Sequence, residues 1–319
     1  MAQKLIITHD LDERLKRSIM EIIPNWDVII SKDPTSWESH LKDAEIIAGW
    51  KKEIAHTCIH NQAELKWLQA WSAGVNSLPL REMENRGMII TTANGVHAYP
   101  ISETIFALLL GLIRKINEYV RNQEKKTWHH SNIKGEIHEK TIGILGVGAI
   151  GKETAKIAKA FGMHVIGFRH SGKSEQYVDQ MYTLAQLNDM LPHCDFVVIT
   201  LPLTDETYQL FGSKQFSLMK TSALLVNIGR GEIVIEEELI QALEQGQIAG
   251  AGLDVFEKEP LPQDNPLWEL NNVIITPHTS GATEYYNQRV IEDIFIPNLK
   301  NYLKGQKPSI NLLDYNKGY

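Results

Sequence analysis

The segment that most restricts the fold of this chain is a glycine pattern placed between an apolar strand and an amphipathic helix. The run TIGIL at 141–145 predicts a buried strand. Three glycines follow it in a G-x-G-x-x-G spacing: Gly146, Gly148 and Gly151. A helix with its apolar side chains on one face comes next, and a further strand follows at 164–168. Strand, helix and strand in this order predict a parallel sheet.

The same alternation extends along most of the chain in two series. The first series ends near residue 93, and the second restarts after a long helix predicted from Ile101 to Trp128. Two parallel α/β sheets are therefore expected. The strand-like runs of the first series lie at 4–8, 26–30, 45–49, 66–71 and 88–92, and those of the second at 141–145, 164–168, 195–200, 223–229, 250–256 and 272–276.

Glycines at this spacing let the backbone turn tightly and approach a pyrophosphate closely. The N–H groups and the positive dipole end of the following helix would meet its charge. A glycine-rich structural turn is the alternative, but the complete strand, helix and strand around it favour a dinucleotide. The residues assigned to this cradle are Gly146, Gly148, Ala149, Ile150 and Gly151.

The strand at 164–168 ends on a base where NAD-linked proteins of this arrangement have an acid. That acid, about 20 residues after the glycines, accepts hydrogen bonds from the ribose 2′-hydroxyl and repels a 2′-phosphate. Arg169 stands there, and a guanidinium can bind a phosphate with two parallel hydrogen bonds. His170, Ser171 and Lys173 complete the segment, so NADP(H) is preferred and NAD(H) remains possible. A solvated basic loop without selectivity is the alternative.

The order of the two series sets the expected domain boundaries. Residues 1–98 would form the first part of a substrate domain, and residues 99–282 a dinucleotide-binding domain. The segment 283–319 has helical spacing as far as Lys304 and would complete the substrate domain. Because the chain crosses twice between the domains, we expect a hinge, with the active site in the cleft.

The composition predicts a globular protein that binds neither nucleic acid nor a membrane. The 319 residues are 43% apolar and carry a formal charge of -7, with acids and bases interspersed. No basic stripe for nucleic acid and no polybasic membrane anchor is present. The longest apolar run, 105–113, is far below the ~20 residues of a spanning helix. Two cysteines and an amino terminus without an apolar signal core favour a reducing cytoplasm.

Three ionisable residues lie at or after strand ends of the second series, where a doubly wound fold gathers its ligands. Arg230 could clamp a carboxylate, and His278 could pass a proton near neutral pH. Glu259, if it touches the imidazole, would favour the protonated ring and fix its tautomer. Taken singly, such residues are more often surface ion pairs or satisfied core groups. Together, behind a nucleotide cradle, they suit reduction of a 2-keto acid.

The chain resembles the D-isomer-specific 2-hydroxyacid dehydrogenase family, in particular its NADP-linked glyoxylate/hydroxypyruvate reductase-like members and the catalytic part of phosphoglycerate dehydrogenase. The resemblance rests on GILGVGAIG, LPLTDET, LLVNIGRGEIV, GAGLDVFEKEPLP and NVIITPHTSGAT, and it covers essentially the whole chain. It implies a Rossmann NAD(P)-binding domain inserted into a flavodoxin-like substrate domain. It also implies a cytoplasmic oxidoreductase that transfers a hydride between NADPH and a small 2-keto acid.

The resemblance assigns roles to further residues. Arg230, Glu259 and His278 match the family's catalytic residues, and Asp254 matches the acid that faces the nicotinamide carboxamide. A homodimer is implied through the helix and arm at about 101–140, which raises the question whether the partner's Trp128 or His129 enters the pocket. The other implied cofactor contacts are Leu201, Pro202, Thr207, Ile228, Gly229, Ser280 and Gly281, with Arg230 and His278. The loop of Ala73, Gly74 and Val75 resembles the family's backbone donors to the substrate carboxylate, and Arg230 and His278 are expected substrate contacts as well. Trp50 and Tyr99 adjoin loops that face the expected cleft and are also expected to contact the substrate, with packing in the core or at an interface as the alternative for each.

Two departures and one rival qualify this prediction. Arg169 replaces the acid of NAD-linked relatives. The chain stops at Tyr319 without the regulatory domain of many phosphoglycerate dehydrogenases, which makes serine biosynthesis a weaker hypothesis. The rival is a nucleotide-sensing regulator, since corepressors that resemble this family can keep all three catalytic positions.

A metal site is not expected. His56 and His60 stand four residues apart around Cys58, but no third ligand is evident.

Overall fold

The structure, a computed structural model, describes residues 3–59, 63–75, 77–130 and 133–315. The chain divides into two compact units, the first of residues 1–96 with 283–319 and the second of residues 97–282. Within the described residues, no helix combines the length and the apolar character that crossing a bilayer requires.

Twelve strands and eleven α-helices follow one another along the described chain. The strands are β1 (Lys4–Ile7), β2 (Asp27–Ile30), β3 (Ile46–Ala48), β4 (Trp67–Gln69), β5 (Ile89–Thr91), β6 (Thr141–Leu145), β7 (His164–Phe168), β8 (Gln180–Tyr182), β9 (Phe196–Ile199), β10 (Leu224–Asn227), β11 (Gly250–Leu253) and β12 (Val273–Ile275). The α-helices are α1 (Glu13–Met20), α2 (Lys52–Cys58), α3 (Leu80–Asn85), α4 (Ala98–Ile113), α5 (Ile116–Glu124), α6 (Ala149–Ala160), α7 (Leu187–Met190), α8 (Ser213–Leu218), α9 (Glu236–Glu244), α10 (Tyr286–Arg289) and α11 (Ile296–Leu303). Short 3₁₀ helices cover Pro34–Ser36, Glu38–Asp43, Leu184–Gln186, Leu191–His193, Gly231–Ile233 and Pro266–Trp268, and a π-helical segment, Val290–Phe295, joins α10 to α11.

The first unit contains a five-stranded sheet in the order β2-β1-β3-β4-β5, with every pair parallel. This is the flavodoxin-like strand order. Both faces of the sheet are covered: Leu5 and Ile7 of β1 pack into one apolar cluster, and Ile6 packs into the other. The helical segment after residue 285 belongs to this unit, where Phe295 stacks on Trp67 with ring centroids 5.2 Å apart.

The second unit contains a seven-stranded parallel sheet in the order β12-β11-β10-β9-β6-β7-β8. Counted from β6, this is the 3-2-1-4-5-6 Rossmann order with a seventh strand at one edge. In β9, Phe196 and Val198 enter one cluster while Val197 and Ile199 enter the other. A strand buried on both faces must be apolar throughout, which is why the runs of the second series read as continuous rather than alternating. The predicted fold is confirmed.

The structure corrects three details of the expected elements. The helix predicted from 101 to 128 is two helices, because Lys115 between α4 and α5 adopts a left-handed backbone with φ of 58°. The helix expected from residue 283 contains wider π turns before Pro297, which has no N–H to continue the ladder. The short edge strand β8 was not predicted, since three residues are too few to show the apolar pattern of a strand.

Candidate active site

The candidate catalytic and cofactor-binding residues of the second unit lie at or after the carboxyl ends of its parallel strands. Because all strands of this sheet run the same way, these ends share one edge. The glycine turn follows β6, Arg169 follows β7, Arg230 follows β10, and His278 follows β12. The sheet therefore gathers the predicted groups from stretches distant in sequence.

Two of the three glycines in the turn have no room for a side chain, and the third has open space beside it. Gly146 has φ of 106°, and a Cβ there would lie 2.8 Å from the Thr200 hydroxyl oxygen. A Cβ on Gly151 would lie 2.3 Å from the carbonyl oxygen of Gly146. At Gly148, by contrast, an added Cβ would meet nothing within 4 Å. The turn therefore leaves open space at the N-terminus of α6.

That open space fits a pyrophosphate. Gly148 is the N-cap of α6 and has no capping side chain, so the helix's first N–H groups are not met by a local cap. Ala149 and Ile150 begin the twelve-residue helix and supply N–H groups of its first turn. The residues present thus fit the dinucleotide that the glycine spacing predicts.

His278 is the candidate proton donor, and its backbone is unusual. It has a left-handed φ of 53°, which costs a non-glycine residue roughly 1–3 kcal/mol and persists only where the surroundings impose it. Its N–H donates to the carbonyl oxygen of Asp254 at 2.9 Å. The neighbouring loop thus fixes the conformation from which the imidazole projects.

The carboxylate of Asp254 holds the rest of that loop. Asp254 is fully buried, and its Oδ1 accepts from the Thr276 hydroxyl at 2.6 Å and from the Thr279 N–H at 3.0 Å. The Ser280 N–H lies 3.2 Å from both carboxylate oxygens. One side chain at the end of β11 therefore ties down the loop on both sides of His278. Its implied contact with a nicotinamide carboxamide stays a prediction.

Glu259 does touch the imidazole. Its Oε2 lies 2.8 Å from Nδ1 of His278, and its Oε1 accepts from the Phe256 N–H at 3.1 Å. The side chain of His278 is 51% exposed, so the ring reaches solvent while one nitrogen is held. A carboxylate at Nδ1 fixes the tautomer and the orientation of the ring, which leaves Nε2 to face a reacting group.

Arg230 lies on a loop with a strictly set backbone. Asn227 is buried at the end of β10, where its amide donates to the Arg230 carbonyl at 3.0 Å and accepts from the Gly229 N–H at 3.1 Å. A Cβ on Gly231 would lie 1.9 Å from the carbonyl carbon of Phe256. The glycine therefore provides close contact between two loops, not backbone freedom. The guanidinium of Arg230 is exposed, and its Nη1 donates to the Gly229 carbonyl at 2.7 Å.

The guanidinium of Arg169 contacts a carboxylate of the same loop. Its Nη1 lies 3.4 Å from Oε2 of Glu175, and the same oxygen accepts from Nζ of Lys152 at 2.8 Å. The Lys152 hydrogen bond is the chief reason that the pKa of Glu175 lies below its usual value. His170, Ser171 and Lys173 are exposed on the same segment.

The other predicted cofactor contacts also lie at this edge. The Thr207 hydroxyl donates to the Pro202 carbonyl at 2.7 Å and closes the loop after β9. Gly281 accepts at its carbonyl oxygen from the His97 ring at 2.9 Å. Leu201, Thr207, Ile228 and Ser280 are buried, and Gly229 lies against the Leu201 backbone.

The expected substrate contacts belong to both units. Trp50 and the loop of Ala73, Gly74 and Val75 belong to the first unit, and Tyr99, on α4, belongs to the second. The side chain of Val75 is buried in the first unit's core, so only the backbone of that residue could contact a substrate.

Two of the three candidate metal ligands are among the described residues. Cys58 is buried and His56 is exposed, while His60 lies outside the described residues. Over the part of the chain that the structure describes, no three His, Cys, Asp or Glu side chains are grouped as metal ligands.

Comparison with known proteins agrees with the geometry. Residues 106–280 match the family model described as D-isomer specific 2-hydroxyacid dehydrogenase, NAD binding domain. The chain belongs to this family. The glyoxylate reductase of Thermococcus litoralis is 36% identical over 97% of this chain and 96% of that protein. A D-isomer specific 2-hydroxyacid dehydrogenase family protein from Aeromonas salmonicida has a TM-score of 0.83 and 33% identity, covering 99% of this chain and 100% of that one.

A second similar structure is described as the NADPH-dependent glyoxylate/hydroxypyruvate reductase of Sinorhizobium meliloti in complex with NADP and sulfate. It has a TM-score of 0.79 and 25% identity, and it covers 99% of this chain and 100% of that one. As a member of the family, the protein is an oxidoreductase that uses a nicotinamide cofactor and acts on the CH–OH group of a 2-hydroxy acid.

Four residues that contact the candidate site residues or one another were not predicted from the sequence. Asn227 and Thr276 end or follow buried strands, and a polar residue at such a position was the available signal. Lys152 follows the last glycine directly, and Glu175 lies six positions after Arg169. Nothing in their spacing shows that these last two side chains meet.

Two glycines of the turn, Gly148 and Gly151, should respond differently to alanine. Gly151→Ala forces a Cβ against a backbone oxygen and should lower the free energy of unfolding by about 1–3 kcal/mol. Gly148→Ala should cost less than about 1 kcal/mol, since its Cβ is unobstructed. It should nevertheless weaken NADPH binding by filling the space for the pyrophosphate. Urea unfolding and titration of NADPH fluorescence measure the two effects, and equal stability losses would contradict this geometry.

Proposed function

We propose that this protein is an NADPH-dependent reductase of small 2-keto acids of the glyoxylate and hydroxypyruvate type, which yields D-2-hydroxy acids. The observation that carries the proposal is the contact between His278 and Glu259, at the same sheet edge as Arg230 and the glycine turn. The glyoxylate reductase of T. litoralis supports the substrate class. Arg169 in the acid's position and the NADP complex of the S. meliloti enzyme support the cofactor.

Reduction of a ketone needs an electron pair at carbon and a proton at oxygen. When bound, the reduced nicotinamide supplies the hydride to the carbonyl carbon. His278 donates its proton from Nε2 to the carbonyl oxygen, and Glu259 holds the ring in place through Nδ1. Arg230 binds the substrate carboxylate through its guanidinium fork and polarises the adjacent ketone. After the reaction His278 is neutral and takes its next proton from solvent.

The nucleotide is bound by the glycine turn and the loop after β7. Gly148 and the N-terminal N–H groups of α6 would bind the pyrophosphate, and Arg169 would bind the 2′-phosphate. The substrate contacts at Trp50, Tyr99 and residues 73–75 are part of this proposal.

Removing the carboxylate of Glu259 should slow the reaction. Reduction requires protonated His278, so kcat/KM for glyoxylate should fall as pH rises, while oxidation of the hydroxy acid gains. Glu259→Gln removes the carboxylate that holds Nδ1 of His278, so kcat/KM at neutral pH should fall about 10²-fold. Glu257→Gln, two positions away and exposed, should stay within about twofold. An undiminished kcat/KM in Glu259→Gln would contradict the role.

Reversing the charge of Arg169 should reverse the cofactor preference. Arg169→Asp exchanges a phosphate-binding group for one that repels phosphate and accepts from a ribose hydroxyl. The ratio of kcat/KM for NADPH to that for NADH should fall about 10²-fold, the size of one lost charge-assisted contact plus repulsion. Lys214→Asp, on the exposed side of α8, makes the same charge change and should leave the ratio unchanged. An equal ratio in wild type and Arg169→Asp would show that Arg169 does not set the cofactor preference.

We further propose a homodimer that forms through residues 101–140. In this segment the side chains of Ile116, Val120 and Trp128 are 51%, 52% and 94% exposed. Ile116 and Val120 stand four residues apart on α5 and share a face, and exposed apolar side chains of this size commonly mark a protein interface. Multi-angle light scattering at micromolar concentration should give twice the chain mass of 36.2 kDa. A mass of one chain at that concentration would count against the dimer.

A further inference from the structure

The loop after β7 contains a carboxylate that competes with the proposed phosphate ligand. Oε2 of Glu175 accepts from Nζ of Lys152 at 2.8 Å and faces Nη1 of Arg169 at 3.4 Å. Its Oε1 accepts from the backbone N–H of Gln176 at 3.2 Å. Both oxygens of Glu175 are therefore occupied by donors, and two of the three donors are cationic groups.

This pair is more than a solvated surface contact. The side chains of Arg169 and Glu175 are only 24% and 20% exposed, so water screens their attraction less than it would at an open surface. Lys152, at 50% exposure, approaches from the first turns of α6. The carboxylate thus links the helix that begins at the glycine turn to the loop after β7.

The surroundings of Glu175 resemble those of a bound phosphate oxyanion. A phosphate is recognised by a guanidinium fork, by a lysine ammonium and by backbone N–H groups, and these are the donors that meet Glu175. They lie where a dinucleotide fold places the ribose 2′ position, after the second strand of the βαβ unit. A 2′-phosphate and the Glu175 carboxylate would therefore require the same cations.

We propose that Glu175 is an internal counter-ion that occupies Arg169 and Lys152 until a 2′-phosphate replaces it, and that it thereby limits the preference for NADPH over NADH. Lys152 is then a second phosphate ligand. With NADH, which has no 2′-phosphate, the two cations keep their carboxylate partner and no charge is left unpaired. This inference rests on the proposed function only in taking a phosphorylated adenosine as the ligand.

The test uses fragments of the cofactor that contain no nicotinamide. Isothermal titration calorimetry measures the binding of adenosine 2′,5′-bisphosphate and of 5′-AMP to the wild-type protein and its variants. Glu175→Gln should bind the bisphosphate about tenfold more tightly, because both cations are released, and should bind 5′-AMP within about twofold of wild type. Lys152→Met should bind the bisphosphate about tenfold more weakly, again with little change for 5′-AMP.

Glu153→Gln is the matched control. Glu153 lies beside Lys152 on α6, pairs with Lys156 at 3.1 Å, and loses the same charge on substitution. Its affinity for both fragments should stay within about twofold of wild type. Equal tightening in Glu153→Gln and Glu175→Gln would reduce the effect to net charge and overturn the proposal.

Other results overturn the proposal as directly. They are unchanged or weaker bisphosphate binding in Glu175→Gln, equal tightening for 5′-AMP, and undiminished binding in Lys152→Met. None of these depends on catalysis. A protein that reduces no keto acid but shows the tenfold effect contradicts the proposed function alone, whereas a reductase without the effect contradicts the counter-ion alone.

Discussion

The buried carboxylate of Asp254 is the contact on which the proposed chemistry depends most. Its side chain accepts hydrogen bonds from the Thr276 hydroxyl and from the backbone of Thr279 and Ser280. Its backbone carbonyl accepts from His278. A left-handed histidine is unfavourable by itself, so the loop keeps this shape because a buried charge would lose its donors if the loop relaxed. The position of the imidazole is thus set from β11, the neighbouring strand, and not from its own.

Two glutamates act at this end of the sheet in opposite senses. Glu259 holds Nδ1 of His278 and, in the proposed mechanism, orients the ring that gives up a proton. Glu175 satisfies Arg169 and Lys152 and, in the proposed counter-ion role, must leave them before a ligand can bind. A carboxylate contact thus assists one proposed function and restrains the other.

The sequence was informative where a residue's type alone decides its role. The two parallel sheets followed from apolar runs that a doubly covered strand must have, and the glycine spacing predicted a turn that the structure shows at Gly146 and Gly151. The sequence was least informative where pairs form across loops. Glu175 meets Lys152 from 23 positions away, and no local pattern records that meeting. The break at Lys115 was missed for a related reason, since neither Gly nor Pro marks it.

Gly231 has a practical meaning for altering this enzyme. At Gly231 the loop after β10 lies against the backbone of Phe256 and Glu257 in the loop after β11, and there is no room between them for a β-carbon. The position of the adjacent Arg230 therefore depends on residue 231 having no β-carbon. A mutant library that diversifies position 231 would mostly displace the guanidinium of Arg230, because any side chain at 231 meets the Phe256 backbone. Variation is better directed to residues whose side chains are free to change size without separating those two loops.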